Sequence, residues 1–339
     1  MNPMKKFSWK NTPTPFVCLA PMAGYTDSPY RQIVKAITPE VICFSELTSI
    51  NAIEQGSQKT EKMLEFQKIE RPIIIQLFGK DPEFFAKAGK KLEAAGVDGI
   101  DINMGCPAKK VVCSEYGSAL LNNPKLAGEI VKALSKAVKI PVSVKMRISY
   151  SKYDEAKFLE FIKTLEKAGC SALTIHGRTT KQGYQGEADW APIYLAKKTL
   201  KIPVIGNGDL DSVEKARERL TSPDGKITLD GLMIGRATAG NPWILREIAQ
   251  SLQKNTQTST TKTTSSPKSI KQKLPTIKKH LRLAVKQYGE RTAAMEMKKH
   301  LSGYVAGFPG AKELRMSIML AKSTKEILEL LNVDANFRP

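Results

Sequence analysis

DPEFFAKAGKKLEAAGVDGIDINMGCP, residues 81–107, contains one complete helix-to-strand unit. Asp81-Pro82 reads as a helix start, a capping carboxylate followed by a proline whose fixed φ suits the first turn. Helical spacing continues to Ala95, and Gly96 follows as a residue able to take the left-handed conformation that satisfies the last carbonyls. Gly99–Pro107 is then a near-continuous apolar run, the signature of a strand covered on both faces. It closes on a polar turn running from Asn103 to Pro107.

The unit repeats along the chain. Strand-length runs stand at Phe16–Gly24, Val41–Leu47, Pro72–Gly79, Gly99–Pro107, Pro141–Ile148, Ala172–Arg178, Pro203–Asp209 and Gly231–Ala237. Helical patterns separate them, among them Pro82–Ala95, Pro124–Val138, Asp154–Ala168 and Ser212–Leu220. Asn123-Pro124 repeats the start signal, and Ala168-Gly169-Cys170 repeats the stop. Eight parallel units favour a closed (β/α)₈ TIM barrel over a doubly wound sheet, which has five or six strands as a rule.

A barrel uses about 250 residues, and the chain has 339. The expected organisation is a catalytic barrel over 1–252, a flexible Thr/Ser/Lys-rich linker over 253–273 and a small all-helical domain over 274–339. Residues 253–273 contain no large apolar side chain except Ile270, too little to order the segment by burial. Helical period then resumes: Ile277, Leu281, Ala284, Val285 and Tyr288 share one face, and Met297, Leu301 and Tyr304 another. A third helix carries Leu314 and Ile318, and a fourth starts at the capping box Ser323-x-x-Glu326.

Fifty-three Lys and Arg against 33 Asp and Glu leave a formal charge of +20. Residues 251–339 alone contribute 17 basic and 6 acidic side chains. So dense a positive field suits a polyanion, nucleic acid before membrane; a merely solubilising lysine-rich surface is the plainer alternative. A 41% apolar, 25% charged composition excludes a disordered chain, and no apolar run is long enough to span a bilayer. No apolar stretch precedes Phe16, so no signal peptide is expected. Five cysteines without a CxxC pair point to a reducing cytoplasm. Three histidines, none at ligand spacing from another, point away from zinc.

Barrel active sites form at the carboxyl ends of the strands, and polar residues collect there. Asn207-Gly208-Asp209 and Gly235-Arg236 end the seventh and eighth strands, where loops commonly cradle a phosphate, glycine admitting the backbone and arginine matching the charge. A third glycine is missing after Gly206-x-Gly208, so a dinucleotide fingerprint does not fit. Lys145 places a cation that would stabilise an anionic reduced flavin, while Gln76 and His176 can hydrogen-bond ring edges. Singly, each is equally an ordinary rim residue. Cys106 stands in a Gly-Cys-Pro turn; an ordinary thiol is mostly protonated at neutral pH and can donate a proton without the environment that a thiolate nucleophile needs. A buried structural cysteine and a covalent nucleophile are its alternatives. Cys18, Cys43 and Cys170 read as core; Cys113 reads either way.

Six motifs complete the pattern: LAPMAG (19–24), DINMGCPAKK (101–110), GSALL (117–121), TIHGR (174–178), NGD (207–209) and MIGR (233–236). Together they resemble the tRNA-dihydrouridine synthases, and the bacterial B-type branch in particular, over about residues 16–252 and more loosely beyond. The resemblance implies an FMN enzyme, reloaded by NADPH, that reduces the C5–C6 double bond of a D-loop uridine in tRNA to 5,6-dihydrouridine. It implies FMN contacts from Pro21, Met22, Ala23, Gln76, Lys145, His176, Asn207, Gly208, Asp209, Gly235 and Arg236. Cys106 would protonate C5 as hydride reaches C6, with Asn103 and Arg178 near the uracil. Lys278, Lys279 and Arg282 on the first tail helix and Lys298, Lys299 and His300 on the second become candidate RNA contacts, positioning the backbone rather than reading bases. A cytoplasmic monomer without metal is expected. Two departures stand out, the length of the 253–273 stretch and Cys113 after the catalytic turn. A barrel oxidoreductase acting on a small pyrimidine, and a tRNA-binding protein without chemistry, are the competing readings.

Overall fold

The computed structural model describes residues 6–254, 269–308 and 310–335. Eight parallel strands close into a barrel in chain order: β1 (Phe16–Leu19), β2 (Ile42–Ser49), β3 (Ile73–Phe78), β4 (Gly99–Met104), β5 (Val142–Arg147), β6 (Ala172–His176), β7 (Val204–Asn207) and β8 (Gly231–Ile234). All eight expected runs form strands. The start signals act as read: the Asp81 carboxylate accepts from the N–H groups of Glu83 and Phe84, and Asn123 Oδ1 accepts from that of Leu126.

Strand side chains alternate between two environments. Outward residues such as Val17, Leu19, Cys43, Ile73, Ile75, Ile100, Ile102 and Val144 pack under the helices, while Phe16, Cys18, Ala20, Ile42, Phe44, Ile74, Ala172, Ile205 and Met233 fill the barrel with Trp9. Further along the axis the inward positions turn polar. Gln76, Asp101 and Ser143 are register partners across β3, β4 and β5, and Asn103, Lys145 and Thr174 form the next rung. The barrel is therefore plugged with hydrocarbon at one end and lined with hydrogen-bonding groups at the other.

Among the described residues four helices follow the barrel's last helix (Trp243–Lys254): Ile270–Tyr288, Glu290–Tyr304, Ala311–Leu320 and Thr324–Ala335. They share a core of Ile277, Leu281, Met297, Leu301, Tyr304, Leu314, Ile318, Ile327 and Leu331, joined by Trp243 from the barrel side. Both ends of the stretch expected as a linker over 253–273 are helical. Residues 253–254 complete one helix and 270–273 open the next, where Ser269 and Gln272 cap each other reciprocally. The remaining stretch, 255–268, lies outside the described residues. Ile270 is the reason for the upstream start, since it is buried in the tail core.

The tail is seated on the barrel by an aromatic and polar junction. Tyr30, on the helix Ser28–Ile37, stacks on His300 at 4.5 Å between ring centroids, and its hydroxyl donates to the Thr238 carbonyl. Asp27 caps that helix through Oδ1, accepting the N–H of Tyr30, and accepts the hydroxyl of Tyr288 through Oδ2 at 2.9 Å. Gly303 lies against the loop after β8 so closely that a Cβ there would stand 2.1 Å from the Ala239 carbonyl oxygen. We expect Gly303→Ala to destabilise the protein by about 1–3 kcal/mol through overpacking against backbone, read as a lowered thermal midpoint; an unchanged midpoint would show that this crossing does not seat the tail.

Candidate functional site

A cavity of about 510 Å³ opens at the carboxyl ends of the strands. Pro21, Met22, Lys145, His176, Asn207, Gly208, Asp209, Gly235 and Arg236 line it, so nine of the eleven residues expected to hold a cofactor meet there. Ala23 and Gln76 do not line it: Ala23 is exposed on the loop after β1 and Gln76 is fully buried below. Among the described residues Lys145 Nζ donates to Asn207 Oδ1 at 3.1 Å, and Asn207 Nδ2 donates to the Met233 carbonyl at 2.7 Å, tying β5, β7 and β8 together under the cavity. A Cβ on Gly208 would stand 2.5 Å from that of Ala188, so only glycine lets the strand-seven loop pass. One on Gly235 would sit 3.5 Å from Ala20 and 3.7 Å from the Met22 sulfur, both cavity residues.

Burial shapes the electrostatics. It pushes the Lys145 amine down to about 8, helped by Arg147 and opposed by Asp101 and Cys106. It pushes His176 to about 2, reinforced by Lys145, Arg147, Arg178 and Arg236, so the imidazole stays neutral at physiological pH. The cavity thus offers one half-buried cation, a neutral ring and the exposed guanidinium of Arg236, a set suited to an anionic ligand with a polar ring edge.

Cys106 is half-buried at the end of β4, outside the cavity lining. Asn103 Oδ1 accepts the N–H groups of Gly105 and Cys106 at 3.1 and 2.9 Å, and Ser118 donates its hydroxyl to the Cys106 carbonyl at 2.8 Å. Behind it, Asn103 Nδ2 donates to Gln76 Oε1, Gln76 Nε2 donates to Asp101, and Ser143 donates to Asp101, at 2.7, 2.7 and 2.6 Å. Gln76 and Asn103 are engaged in this chain, which is why Gln76 does not line the cavity.

Arg178 is not free at the cavity. It is buried and makes a bidentate pair with Asp209 at 2.8 and 2.7 Å, with further bonds to the carbonyls of Gln185 and Gly186. It lines an adjoining cavity of about 280 Å³ instead. Asp209 also accepts from Arg236 and from the N–H of Ala188. Burial raises its pKa, but the Arg178 and Ala188 hydrogen bonds and the two guanidinium charges outweigh that, leaving it below the usual carboxylate range.

Two residues given no role in the sequence reading matter here. Arg147, fully buried, donates to the carbonyls of Gly105, Thr179 and Gly183. Tyr184 lines the cavity, is 57% exposed, and has Arg236 4.5 Å and Arg147 5.5 Å from its ring centroid. Only its setting between Gly183 and Gly186 in a long loop hinted at it.

Of the candidate RNA contacts, Lys279 and Arg282 are exposed and Lys278 half-buried. Lys298 donates to the Met319 carbonyl, and Lys299 pairs with Glu296 while standing over the Tyr25 ring beside Gly24, close to the loop after β1. His300 is buried in the tail–barrel junction and is removed from the RNA-binding set. The fold does bring His280 and His300 beside Asp27, with possible ligand atoms within 4.8 Å of one another. Asp27 already accepts from Tyr30 and Tyr288, His280 Nδ1 meets the Tyr304 hydroxyl, and His300 stacks on Tyr30. Cys18, Cys43 and Cys170 are buried and Cys113 is exposed.

A closed parallel barrel whose polar residues gather round a cavity at the strand carboxyl ends is the build of a barrel enzyme. The chain belongs to the dihydrouridine synthase family: the family model "Dihydrouridine synthase (Dus)" matches residues 18–338. It is 37% identical over 305 residues to a probable tRNA-dihydrouridine synthase of Rickettsia bellii, covering 90% of each chain. It is 37% identical to tRNA-dihydrouridine synthase B of Pseudomonas aeruginosa, covering 88% of this chain and 86% of that one. A solved structure of a variant of NCR from Zymomonas mobilis, 17% identical, superposes with a TM-score of 0.50 over 70% of this chain and 86% of that chain, a likeness of fold alone. No described helix is long and apolar enough to cross a membrane.

Asp209→Asn should lower the thermal midpoint at pH 7 by loosening Arg178. Because the folded carboxyl titrates below its usual range, its contribution is present above that range and is lost as pH falls through the depressed value. The gap between wild type and variant should therefore shrink on acidification, as melting curves from pH 7 to pH 3 would show; a gap independent of pH would remove Asp209 from this role.

Proposed function

We propose that this chain reduces the C5–C6 double bond of a D-loop uridine in tRNA, with FMN in the 510 Å³ cavity, NADPH as reductant and Cys106 as the acid. The observation that carries the reading is the meeting of Lys145, His176, Asn207 and Arg236 in one cavity, with Asn103 of the Cys106 turn the register partner of Lys145, in a member of the dihydrouridine synthase family.

The residues present fit the cofactor. Gly208 and Gly235 line the cavity where loops after the last two strands commonly cradle a phosphate, and Arg236 supplies charge for one. Lys145 presents a cation to the ring, and His176 a neutral hydrogen-bonding edge. Reduced FMN would supply the hydride to C6, completing the saturated bond with the Cys106 proton at C5. Asn103 holds the acid's turn and is the register partner of Lys145, so cation and thiol are mounted on neighbouring strands.

A stacked uracil must leave its loop to reach this site. The exposed Tyr184 ring at the cavity rim is an aromatic surface for such a base. With Arg178 locked to Asp209, Tyr184 suits contact with the uracil better than Arg178 does. Lys279 and Arg282 offer exposed charge on the tail, and Lys299 extends it toward the loop after β1. The junction between tail and barrel would hold those charges in fixed relation to the cavity. We read the protein as cytoplasmic and monomeric.

The purified protein should bind FMN and turn yellow; failure to reconstitute would end the proposal. Cys106→Ala should keep FMN and lose dihydrouridine formation by about 10²–10⁴-fold, the usual worth of a positioned acid, measured by mass spectrometry of tRNA. Undiminished product would exclude the acid role. The Lys145 charge is present below about pH 8 and lost above it, so FMN affinity should weaken as pH rises through that value. Lys145→Met should abolish this dependence in a fluorescence titration.

A further inference from the structure

Inside the barrel mouth runs a chain of hydrogen bonds that has a direction. We propose that Asp101 is a positioning residue which, through Gln76 and Asn103, sets the orientation of both amides and so holds the Cys106 turn. Its consequence for turnover rests on the proposed acid role of Cys106; the relay itself does not.

The two ends of the chain are chemically fixed. At one end an ionised carboxylate accepts and cannot donate. Asp101 is fully buried, with burial raising its pKa to about 6, against hydrogen bonds from Ser143 and Gln76 and the charge of Lys145, so it remains largely ionised at pH 7. At the other end the backbone N–H groups of Gly105 and Cys106 donate and cannot accept, and Asn103 Oδ1 takes both. Between these ends stand two amides, each with one accepting and one donating side. A single arrangement pairs every group. Gln76 must turn its NH₂ to Asp101 and therefore its oxygen to Asn103. Asn103 must then turn its NH₂ to Gln76 and its oxygen to the Cys106 turn. Those are the contacts found, at 2.7 Å for each side-chain link. Flipping either amide alone sets oxygen against oxygen on one side and N–H against N–H on the other. The demand made by the carboxylate and the demand made by the backbone thus agree independently. The strands supply the spacing, since Gln76, Asp101 and Ser143 are register partners on β3, β4 and β5, and Asn103 lies two residues beyond Asp101 on the same inward face.

A relay of this kind can be reversed, and reversal is the test. Asn103→Asp puts a second acceptor against the Gln76 oxygen and should break the chain. Adding Asp101→Asn supplies a donor at the far end, allowing Gln76 to turn over and every group to pair again. Asp101→Ala removes the same negative charge without supplying that donor, so it separates the relay from simple repulsion between carboxylates. The readouts are amide hydrogen exchange of the Gly105–Cys106 turn by mass spectrometry and the thermal midpoint. Neither requires turnover, so a failed relay and a failed enzymatic reading are distinguishable.

We expect Asn103→Asp to speed exchange of the turn by about tenfold or more, the cost of an unpaired buried group expressed as local opening. Asp101→Asn with Asn103→Asp should return exchange and midpoint close to wild type, while Asp101→Ala with Asn103→Asp should not. Equal rescue by both pairs would reduce the effect to charge and overturn the relay, as would losses that simply add. Should the alanine pair fail to fold, the absence of rescue by Asp101→Asn alone would still overturn the proposal.

Discussion

A closed parallel barrel turns every second strand residue inward, and whatever stands there is cut off from bulk water. In this protein the inward positions are hydrocarbon at the end filled by Trp9, Phe16 and Phe44, and hydrogen-bonding at the other. The polar end includes Asp101, Gln76, Ser143, Asn103 and Lys145, the first three fully buried. A buried polar group without a partner costs on the order of 1–3 kcal/mol; Asp101, Gln76, Ser143 and Asn103 satisfy one another, and Lys145 finds Asn207. Their pairing turns Asn103 toward the Cys106 turn, while burial and the Arg147 charge lower the affinity of Lys145 for its proton.

The same constraint separates residues by what they are able to do. Lys145 and His176 present groups to a cavity because their strands end there. Gln76, a rung below, and Asn103, level with Lys145, turn their side chains into the chain of bonds. Arg178 and Asp209 satisfy each other at the rim, where a lone guanidinium so deeply buried would be costly. Arg236 lies further out and keeps part of its charge exposed, even while touching Asp209. The partner each side chain finds, more than residue type, sorts binding groups from structural ones.

The tail obeys a different rule. Its helices cannot bury their apolar faces alone and close round their own core with Trp243. The contact with the barrel is aromatic and polar, built from Tyr30, Tyr288, Asp27 and His300, and it needs the close approach at Gly303. That combination fixes the direction of the basic helices relative to the strand ends. A buried histidine at the junction reads in sequence like a basic surface residue, which is why His300 misled.

Eight strand runs, their separating helices and the polar turns at their ends were legible from the chain because period, cap and glycine signals are local. Cys106, Lys145 and the loops after β7 and β8 could be singled out for the same reason: in a barrel, strand ends converge wherever the strands lie. Local signals say nothing of which polar group meets which. That Arg178 is locked to Asp209, that Gln76 faces Asp101, that Tyr184 lies at the rim and that Ile270 lengthens a helix into the expected linker all depend on contacts between residues distant in the chain. Those contacts are decided by the closure of the barrel and the burial that closure imposes.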